Sequence, residues 1–288
     1  MTRTDPATLL SRRFPAKRAF VTGAASGLGL AMAERLARDG WALGLLDISA
    51  AALDAAAGGL RGRNTATRVF AYAGDVADEA FVAASVADFT AQCGGLDLMV
   101  NNAGVAVAGM VEATPVEDWQ WITGINLLGV VWGCRAALPV MKRQRSGLIL
   151  NIASSAGFAA APQMGAYNAT KAAVIALSET LAAEAADDGI QLSVAMPGFF
   201  RTHLLDHMRA PPEEGRLAHA LMDTSGHDPD EAALALLGGA AEGRLYLVWP
   251  PQYRLAWRLK RWAPNWFLKR VRGFRDAQAR KAAGPRPG

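Results

Sequence analysis

The chain has 288 residues, of which 51% are hydrophobic and 19% are charged. This composition excludes a disordered protein, and the length is sufficient for one α/β domain with a large core. Two cysteines, Cys93 and Cys134, exclude a disulfide scaffold and predict two free thiols. The formal net charge of +4 indicates a mildly basic protein.

Short apolar segments alternate with segments of helical periodicity over the first 200 residues. An N-terminal arm, 1–17, lacks the pattern of a signal peptide. The expected strands follow it: Ala19–Thr22, Trp41–Leu46, Arg68–Tyr72, Leu96–Val100, Gly147–Ile152 and Gln191–Ala195. Because these strands are apolar throughout, both faces of their sheet should be covered by helices. The predicted fold class is α/β: a doubly wound parallel sheet in three α/β/α layers, forming one domain over residues 18–249.

The chain after Pro197 has a looser pattern. Residues 198–230 contain all four histidines and no clear strand, which predicts a mobile lid over the substrate. Pro229–Ala241 is predicted as a helix and Arg244–Val248 as the last strand. Residues 146–170 carry no charge, but their polar side chains and Pro162 argue against a membrane span.

A glycine-rich turn joins the first strand to the next helix. Gly23, Gly27 and Gly29 permit a tight turn and let a pyrophosphate approach the amides at the helix N-terminus. An ordinary strand–helix turn is the alternative interpretation. Asp47 ends the second strand, where a carboxylate can bind the adenosine ribose hydroxyls and repel a 2′-phosphate. This favours NAD over NADP, although Asp47 could instead cap the following helix.

A phenol and an ammonium group lie four residues apart, on one face of a predicted helix. Lys171 should favour the phenolate of Tyr167 and so lower its pKa, which suits proton transfer near neutral pH. Ser154 lies at the end of a strand, 13 residues upstream, and could hydrogen-bond the same substrate oxygen. Alone this pair is a common surface pattern, but after a dinucleotide-type turn it predicts an active site.

With these motifs in order, the chain resembles the short-chain dehydrogenase/reductase family from about Arg18 to Leu247. The resemblance rests on Thr22–Gly29, Asp75-Val76, Asn101–Gly104, Asn126, the Ser154, Tyr167 and Lys171 set, and Pro197-Gly198 followed by Thr202. It implies a Rossmann fold that binds NAD. The implied cofactor-binding residues are Thr22, Gly23, Ser26, Gly27, Leu28, Gly29, Asp47, Asp75, Val76, Asn102, Ala103, Gly104, Tyr167, Lys171, Pro197, Gly198 and Thr202.

The resemblance also implies roles for four catalytic residues. Tyr167 would exchange a proton with the substrate oxygen, and Lys171 would lower the pKa of Tyr167 and hold the nicotinamide ribose. Ser154 would position the substrate oxygen and stabilise developing charge. Asn126 would hold a water that relays protons to Lys171. The implied reaction interconverts a secondary alcohol and a ketone, or an alcohol and an aldehyde, with hydride transfer to or from nicotinamide.

Bulky apolar residues in and near the predicted lid suggest a lipophilic small-molecule substrate, such as a sterol-like, retinoid-like or long-chain alcohol. The candidate pocket residues are Phe158, Met164, Phe199, Phe200, Leu204 and Leu205; simple packing under the lid is the alternative. An NADP-dependent carbonyl reductase and a non-catalytic NAD-sensing scaffold at a membrane are the competing functions. His203 and His207 have the spacing of a metal pair, but no third ligand follows, and no metal is expected.

The charge is divided between two regions of the chain. Residues 1–249 have a net charge of −6, whereas the Trp-rich extension 250–288 has a net charge of +10. On a helical wheel, Leu255, Leu259 and Trp262 share one arc, with Arg254, Arg258 and Arg261 beside it. A second segment places Phe267, Val271 and Phe274 on one side and Lys269, Arg270 and Arg272 elsewhere. Residues beyond about Ala277 are expected to be disordered.

Three partners compete for this basic amphipathic extension. It could pack on its own domain or on a second subunit, or it could make peripheral contact with a membrane surface through residues 250–275. Nucleic acid is the third, and no nucleic-acid partner is expected. The predicted location is the cytoplasm, with contact at the inner face of the membrane. The chain lacks the family's usual C-terminal ending, which disfavours a tetramer, and pairing through helices near Asp118–Met141 and Tyr167–Ala186 would give a homodimer.

Overall fold

A computed structural model describes residues 6–63, 67–200, 202–212, 214–216 and 225–282. Within these ranges the side chains of residues 6–7, 63, 203 and 274–282 are not described. The predicted lid lies partly outside the described residues, because 201, 213 and 217–224 are missing from them.

Seven parallel strands form one sheet in the order β3-β2-β1-β4-β5-β6-β7. The strands are β1 (Arg18–Thr22), β2 (Ala42–Asp47), β3 (Val69–Ala73), β4 (Leu98–Asn101), β5 (Gly147–Ile152), β6 (Ile190–Pro197) and β7 (Tyr246–Trp249). The chain winds outward from β1 in one direction and from β4 in the other. This arrangement confirms the predicted doubly wound sheet and places a crevice between the carboxyl ends of β1 and β4.

Helices cover both faces of the sheet. They are α1 (Pro6–Arg13), α2 (Gly27–Arg38), α3 (Ala50–Arg63), α4 (Glu79–Cys93), α5 (Val116–Thr123), α6 (Gly129–Gln144), α7 (Ala156–Ala159), α8 (Gly165–Glu184), α9 (Pro229–Ala241), α10 (Tyr253–Trp262) and α11 (Pro264–Ala282). One core cluster includes Trp41 and Leu36, and the other includes Phe20 and Phe89. Each cluster fills the space between the sheet and one layer of helices, as apolar strands require.

The N-terminal arm is a folded part of the domain. Over residues 6–13 it forms α1, which packs against α9. Leu10 and Phe14 are buried in the core. The predicted helix Pro229–Ala241 and strand Gly147–Ile152 have the predicted bounds, and the two cysteines are free.

The described part of the lid is attached to the domain through Arg209. The backbone of Arg209 pairs with Ala106 and Ala108, at distances of 3.1 and 3.0 Å. Its guanidinium binds Asp118 at 2.8 Å and lies 3.8 Å from the centre of the Trp121 ring. Sequence periodicity does not reveal these contacts with distant residues, and the mobility of the lid stays a prediction.

The C-terminal extension forms two helices, α10 and α11, and helix continues to Ala282, beyond the residue where disorder was expected. α10 packs against β7 and α7. The rings of Tyr246 and Trp257 lie 5.0 Å apart, so the extension is attached to its own domain. The outer side remains uncovered: Leu255 is 64% exposed and Trp262 is 90% exposed.

The described residues contain one helical segment, Val116–Gln144, that is long and apolar enough to cross a membrane by length and composition. Half of its most apolar window is buried inside the protein. The segment packs against α4, β4 and β5, which is typical of a core helix in a globular protein.

Candidate active site

The ends of β1 and β4 are joined by side-chain hydrogen bonds. The hydroxyl of Thr22 accepts hydrogen bonds from the backbone N–H groups of Asn102 and Ala103, at 3.0 and 3.1 Å. The Asn102 amide donates in return to the carbonyls of Thr22 and Gly23, at 3.0 Å each. A Cβ on Gly29 would lie 2.1 Å from the Gly23 carbonyl oxygen, so only glycine permits this contact.

The carboxylate of Asp47 supports the glycine-rich turn. Its two oxygens accept hydrogen bonds from the N–H groups of Ala25, at 3.0 Å, and Ser49, at 3.1 Å. The hydroxyl of Ser49, and not Asp47, accepts from Ala52 in the first turn of α3. Asp47 is therefore not the cap of that helix, and its carboxylate faces the space above the strand ends.

A cavity of about 1000 Å³ lies over the carboxyl ends of the strands. It is lined by fifteen of the predicted cofactor-binding residues: Gly23, Ser26, Gly27, Leu28, Asp47, Asp75, Val76, Asn102, Ala103, Gly104, Tyr167, Lys171, Pro197, Gly198 and Thr202. The six predicted pocket residues also line it: Phe158, Met164, Phe199, Phe200, Leu204 and Leu205. Thr22, Gly29 and Asn126 do not line it and are buried in the protein.

Ser154, Tyr167 and Lys171 meet in this cavity. The hydroxyls of Ser154 and Tyr167 are hydrogen-bonded to each other. The ammonium of Lys171 donates to the Ile152 carbonyl at 3.0 Å and lies 5.8 Å from the centre of the Tyr167 ring. Helix α8 therefore brings the phenol and the ammonium to the end of β5, as the four-residue spacing predicts.

Burial controls the protonation of this group. It lowers the pKa of Lys171 from 10.5 to about 8, because no carboxylate compensates its charge. Burial also raises the pKa of Tyr167, and the hydrogen bond with Ser154 only partly opposes this. The predicted lowering of the Tyr167 pKa is wrong, because the loss of solvent on burial raises this pKa by more than the hydrogen bond with Ser154 lowers it.

Asn126 lies in a π-helical turn, Gly124–Leu128, between α5 and α6. Its amide accepts from the N–H of Val105 at 2.8 Å and donates to the carbonyl of the same residue at 2.9 Å. Turns of this kind are frequent at functional sites. The side chain thus positions the loop after β4, and the water relay stays a prediction.

Five wall residues from the extension were not among the predicted pocket residues: Tyr253, Ala256, Phe267, Arg270 and Val271. The spacing of Tyr253, Ala256 and Trp257 places them on one face of a helix, and this pattern in the sequence could have indicated that the face packs on the domain. For α10 the helical wheel favoured a different face, the one around Leu255 and Trp262. For α11 it grouped Phe267 with Val271, and both line the cavity. Among the residues that the structure describes, no group of three or more His, Cys, Asp or Glu could hold a metal; the side chain of His203 lies outside them.

Comparisons with known proteins agree with this geometry. A family model described as short chain dehydrogenase matches residues 17–213. The chain belongs to the short-chain dehydrogenase/reductase family. It is 39% identical over 198 residues to 2-(R)-hydroxypropyl-CoM dehydrogenase of Xanthobacter autotrophicus, covering 68% of this chain and 79% of that relative. This chain is therefore an oxidoreductase that interconverts alcohols and carbonyl compounds with a nicotinamide cofactor.

Solved structures of this family contain both nicotinamide cofactors. A short chain dehydrogenase/reductase from Burkholderia phymatum in complex with NAD has a TM-score of 0.80 and 30% identity, with 85% of this chain and 92% of that chain covered. A short-chain dehydrogenase from Sphingobium yanoikuyae in complex with NADPH has a TM-score of 0.73 and 29% identity, with 88% and 95% covered. The family relationship therefore leaves the choice of cofactor to residues of this chain.

The dehydrogenase has a cavity that fits a dinucleotide. The close packing of Gly23 and Gly29 leaves the start of α2 open, because a side chain at either position would collide with backbone. Gly104 keeps the space beside Lys171 free, since a Cβ there would lie 3.3 Å from the ammonium. When bound, the nicotinamide ring supplies the hydride acceptor or donor.

The buried ammonium of Lys171 should make the stability of this dehydrogenase depend on pH. Its pKa is about 8 in the folded protein and that of an ordinary lysine in the unfolded chain. Between these values the unfolded chain binds more protons, so stability rises with pH. We expect the unfolding free energy of the cofactor-free enzyme, relative to Lys171→Met, to increase by about 2 kcal/mol from pH 7 to pH 9.5.

Urea unfolding at the two pH values measures this difference. Lys142→Met is the matched control, because Lys142 lies on the surface in an ion pair with Asp188; it should retain the pH dependence of the wild type. Parallel pH profiles for the wild type and Lys171→Met would contradict the assignment.

Proposed function

We propose that this protein is an NAD-dependent dehydrogenase that interconverts a secondary alcohol and a ketone, or an alcohol and an aldehyde, on a lipophilic small molecule. The observation that carries the proposal is the meeting of Ser154, Tyr167 and Lys171 in one cavity with the glycine-rich turn and Asp47. A non-catalytic scaffold has no need of a hydrogen-bonded pair of hydroxyls beside a buried ammonium, so we favour an enzyme.

The proton is exchanged at the hydroxyl of Tyr167. In ketone reduction the neutral phenol donates its proton to the substrate oxygen, and the raised pKa of Tyr167 keeps that proton available. In alcohol oxidation the phenolate must accept the proton, and the nearby ammonium of Lys171 favours that form. The Ser154 hydroxyl, already bonded to Tyr167, holds the substrate oxygen in place.

Asp47 supports the choice of NAD over NADP. Its carboxylate accepts hydrogen bonds from the backbone N–H groups of Ala25 and Ser49, and it would repel a 2′-phosphate. Among the side chains that the structure describes between residues 23 and 76, no Lys or Arg lines the cavity to attract one; the side chain of Arg63 lies outside this set. An NADP-dependent carbonyl reductase is the alternative, and it is supported by the solved relative that binds NADPH.

An apolar wall supports a lipophilic substrate. Phe158 and Phe200 are buried in the wall, whereas Phe199 is partly exposed. Met164 and Leu204 join them. Such a wall stabilises an apolar substrate body through burial of its surface.

We infer that two copies associate through α5–α6 and α8 as a homodimer. Apolar side chains lie at the surface of this region, including Val116 of α5 at 66% exposure and Leu128 of the π-helical turn at 39%. Isologous pairing of such helices would bury them.

We also propose peripheral contact with the inner face of the cytoplasmic membrane. Between 250 and 273 the chain has seven Lys or Arg and no Asp or Glu. None of these described cations forms an ion pair. The exposed Trp262, Trp266 and Leu255 lie among them. Exposed Trp beside cations that form no ion pair suits an anionic bilayer. Two such surfaces on two copies of the chain would repel each other, and binding to phosphate groups alone would not bury Leu255.

Replacement of the tyrosine tests the catalytic proposal. Tyr167→Phe removes the proton donor and should lower kcat by about 10²- to 10⁴-fold. NADH binding, followed by fluorescence, should remain. The assay is a panel of secondary alcohols and ketones with NAD reduction or NADH oxidation as readout. Near-normal turnover of the variant would overturn the role given to Tyr167.

Fluorescence titration with NADH and NADPH tests the cofactor. We expect NADH to bind at least about tenfold more tightly, because Asp47 repels the extra phosphate. Asp47→Ala should narrow that ratio, and Asp78→Ala, at the cap of α4 outside the cavity, should not. Tighter binding of NADPH by the wild type would favour the reductase alternative.

Vesicle cosedimentation tests the membrane contact. The full chain should bind vesicles that contain phosphatidylglycerol, and pure phosphatidylcholine vesicles should bind less because the cations find no partner. Trp262→Ser with Trp266→Ser should weaken binding roughly tenfold or more. Leu234→Ser, an exposed apolar position on α9, is the matched control. Equal partition of the wild type and the double variant onto these vesicles would contradict the proposed membrane contact. If the exposed tryptophans instead mediate dimer formation or nucleic-acid binding, the double variant would lose that association.

A further inference from the structure

The C-terminal extension forms part of the wall around the substrate. α10 contributes Tyr253 and Ala256 to the cavity, and α11 contributes Phe267, Arg270 and Val271. These residues lie more than 80 positions beyond Tyr167 in the chain, outside the matched family region 17–213. They are the part of the wall that the family resemblance does not account for.

Tyr253 fixes the extension to the turn after β6. Its ring packs so closely on Gly198 that a Cβ there would lie 2.5 Å from two ring atoms. Its hydroxyl forms a hydrogen bond with the backbone of Phe199. The N–H of Gly198 donates to the Trp249 carbonyl at 2.7 Å. The start of the extension and the turn beside Ser154 are therefore held together.

Helix α11 has a cavity face and an outer face. Phe267 is only 7% exposed, and Val271 lies one helical turn further on the same side. Both line the cavity. The adjacent Leu268 is 39% exposed and does not line the cavity. The apolar residues of α11 thus divide between the two faces, and this division allows a matched experiment.

Resting on the proposed alcohol and ketone chemistry, we propose that Phe267 and Val271 form a binding subsite for the apolar body of the substrate. Phe199, Phe200 and Leu204 supply further apolar wall to the same cavity. A short alcohol can reach Tyr167 without touching α11, whereas a long or polycyclic one extends along this wall. The subsite therefore selects extended apolar substrates, with affinity rising about fourfold for each methylene buried.

Kinetics over a series of secondary alcohols test the subsite. Phe267→Ala should lower kcat/KM for 2-decanol about tenfold or more, mainly through KM, and leave 2-butanol nearly unchanged. Leu268→Ala should change neither, and Phe267→Leu should restore most of the preference. An equal effect of Phe267→Ala on both alcohols, or none on 2-decanol, would overturn the proposal. If Phe267→Ala does not fold, Val271→Ala is measured with the same expectations.

A binding measurement separates this inference from the proposed reaction. The neutral fluorescent probe N-phenyl-1-naphthylamine should bind the wild type and Leu268→Ala equally, and Phe267→Ala about tenfold more weakly. Weakened probe binding in an enzyme that oxidises no alcohol leaves the subsite standing and removes the proposed chemistry. Turnover of alcohols without any effect of Phe267→Ala on chain-length preference or probe binding removes the subsite alone.

Discussion

The close approach of β1 and β4 is the constraint on which the active site depends. These strands are neighbours in the sheet but about 80 residues apart in the chain, and the helices that follow them leave in opposite directions. Thr22 and Asn102 tie their ends together through four hydrogen bonds. A side chain at Gly23 or Gly29 would separate the two ends and close the crevice. The dinucleotide-shaped space is thus a direct result of backbone packing.

The active site contains a buried cation, which destabilises the folded protein. Lys171 has only 3% exposure and donates to a backbone carbonyl, with no carboxylate at hand to compensate its charge. Its charged form is therefore costly in the free enzyme, and the pKa falls to about 8. A buried ammonium of this kind is stabilised most by a ligand whose hydroxyl oxygens accept hydrogen bonds from it. Stability given up at Lys171 is consistent with a functional role, since perturbed groups in clefts cluster at such sites.

The sequence predicted those features of the fold and the site that depend on the local pattern of residues. The apolar runs predicted the inner strands because a strand covered on both faces needs apolar residues throughout. The edge strand β3 is instead partly exposed. Leu96 was placed in a strand but precedes β4, since its N–H and carbonyl bind the side chain of Gln144 instead of a neighbouring strand. The direction of the Tyr167 pKa depends on how completely the folded chain excludes water, and no spacing reveals this. The motif residues, by contrast, carry their chemistry in their spacing.

The extension shows how charge and packing separate within one helix pair. A catalytic domain of net −6 should attract a segment of net +10, yet the described cations form no ion pair with it. Apolar contacts hold the segment in place, through Trp257 against Tyr246 and Phe267 in the cavity wall. The wheel grouped Leu255 with Trp262, and the structure leaves that arc outside. One face of the extension, with Phe267 and Arg270, lines the cavity. The other face carries exposed tryptophans beside cations that form no ion pair, so a partner bound outside would lie about one helix diameter from the substrate. The total charge of +4 does not reveal this division between an acidic catalytic domain and a basic extension.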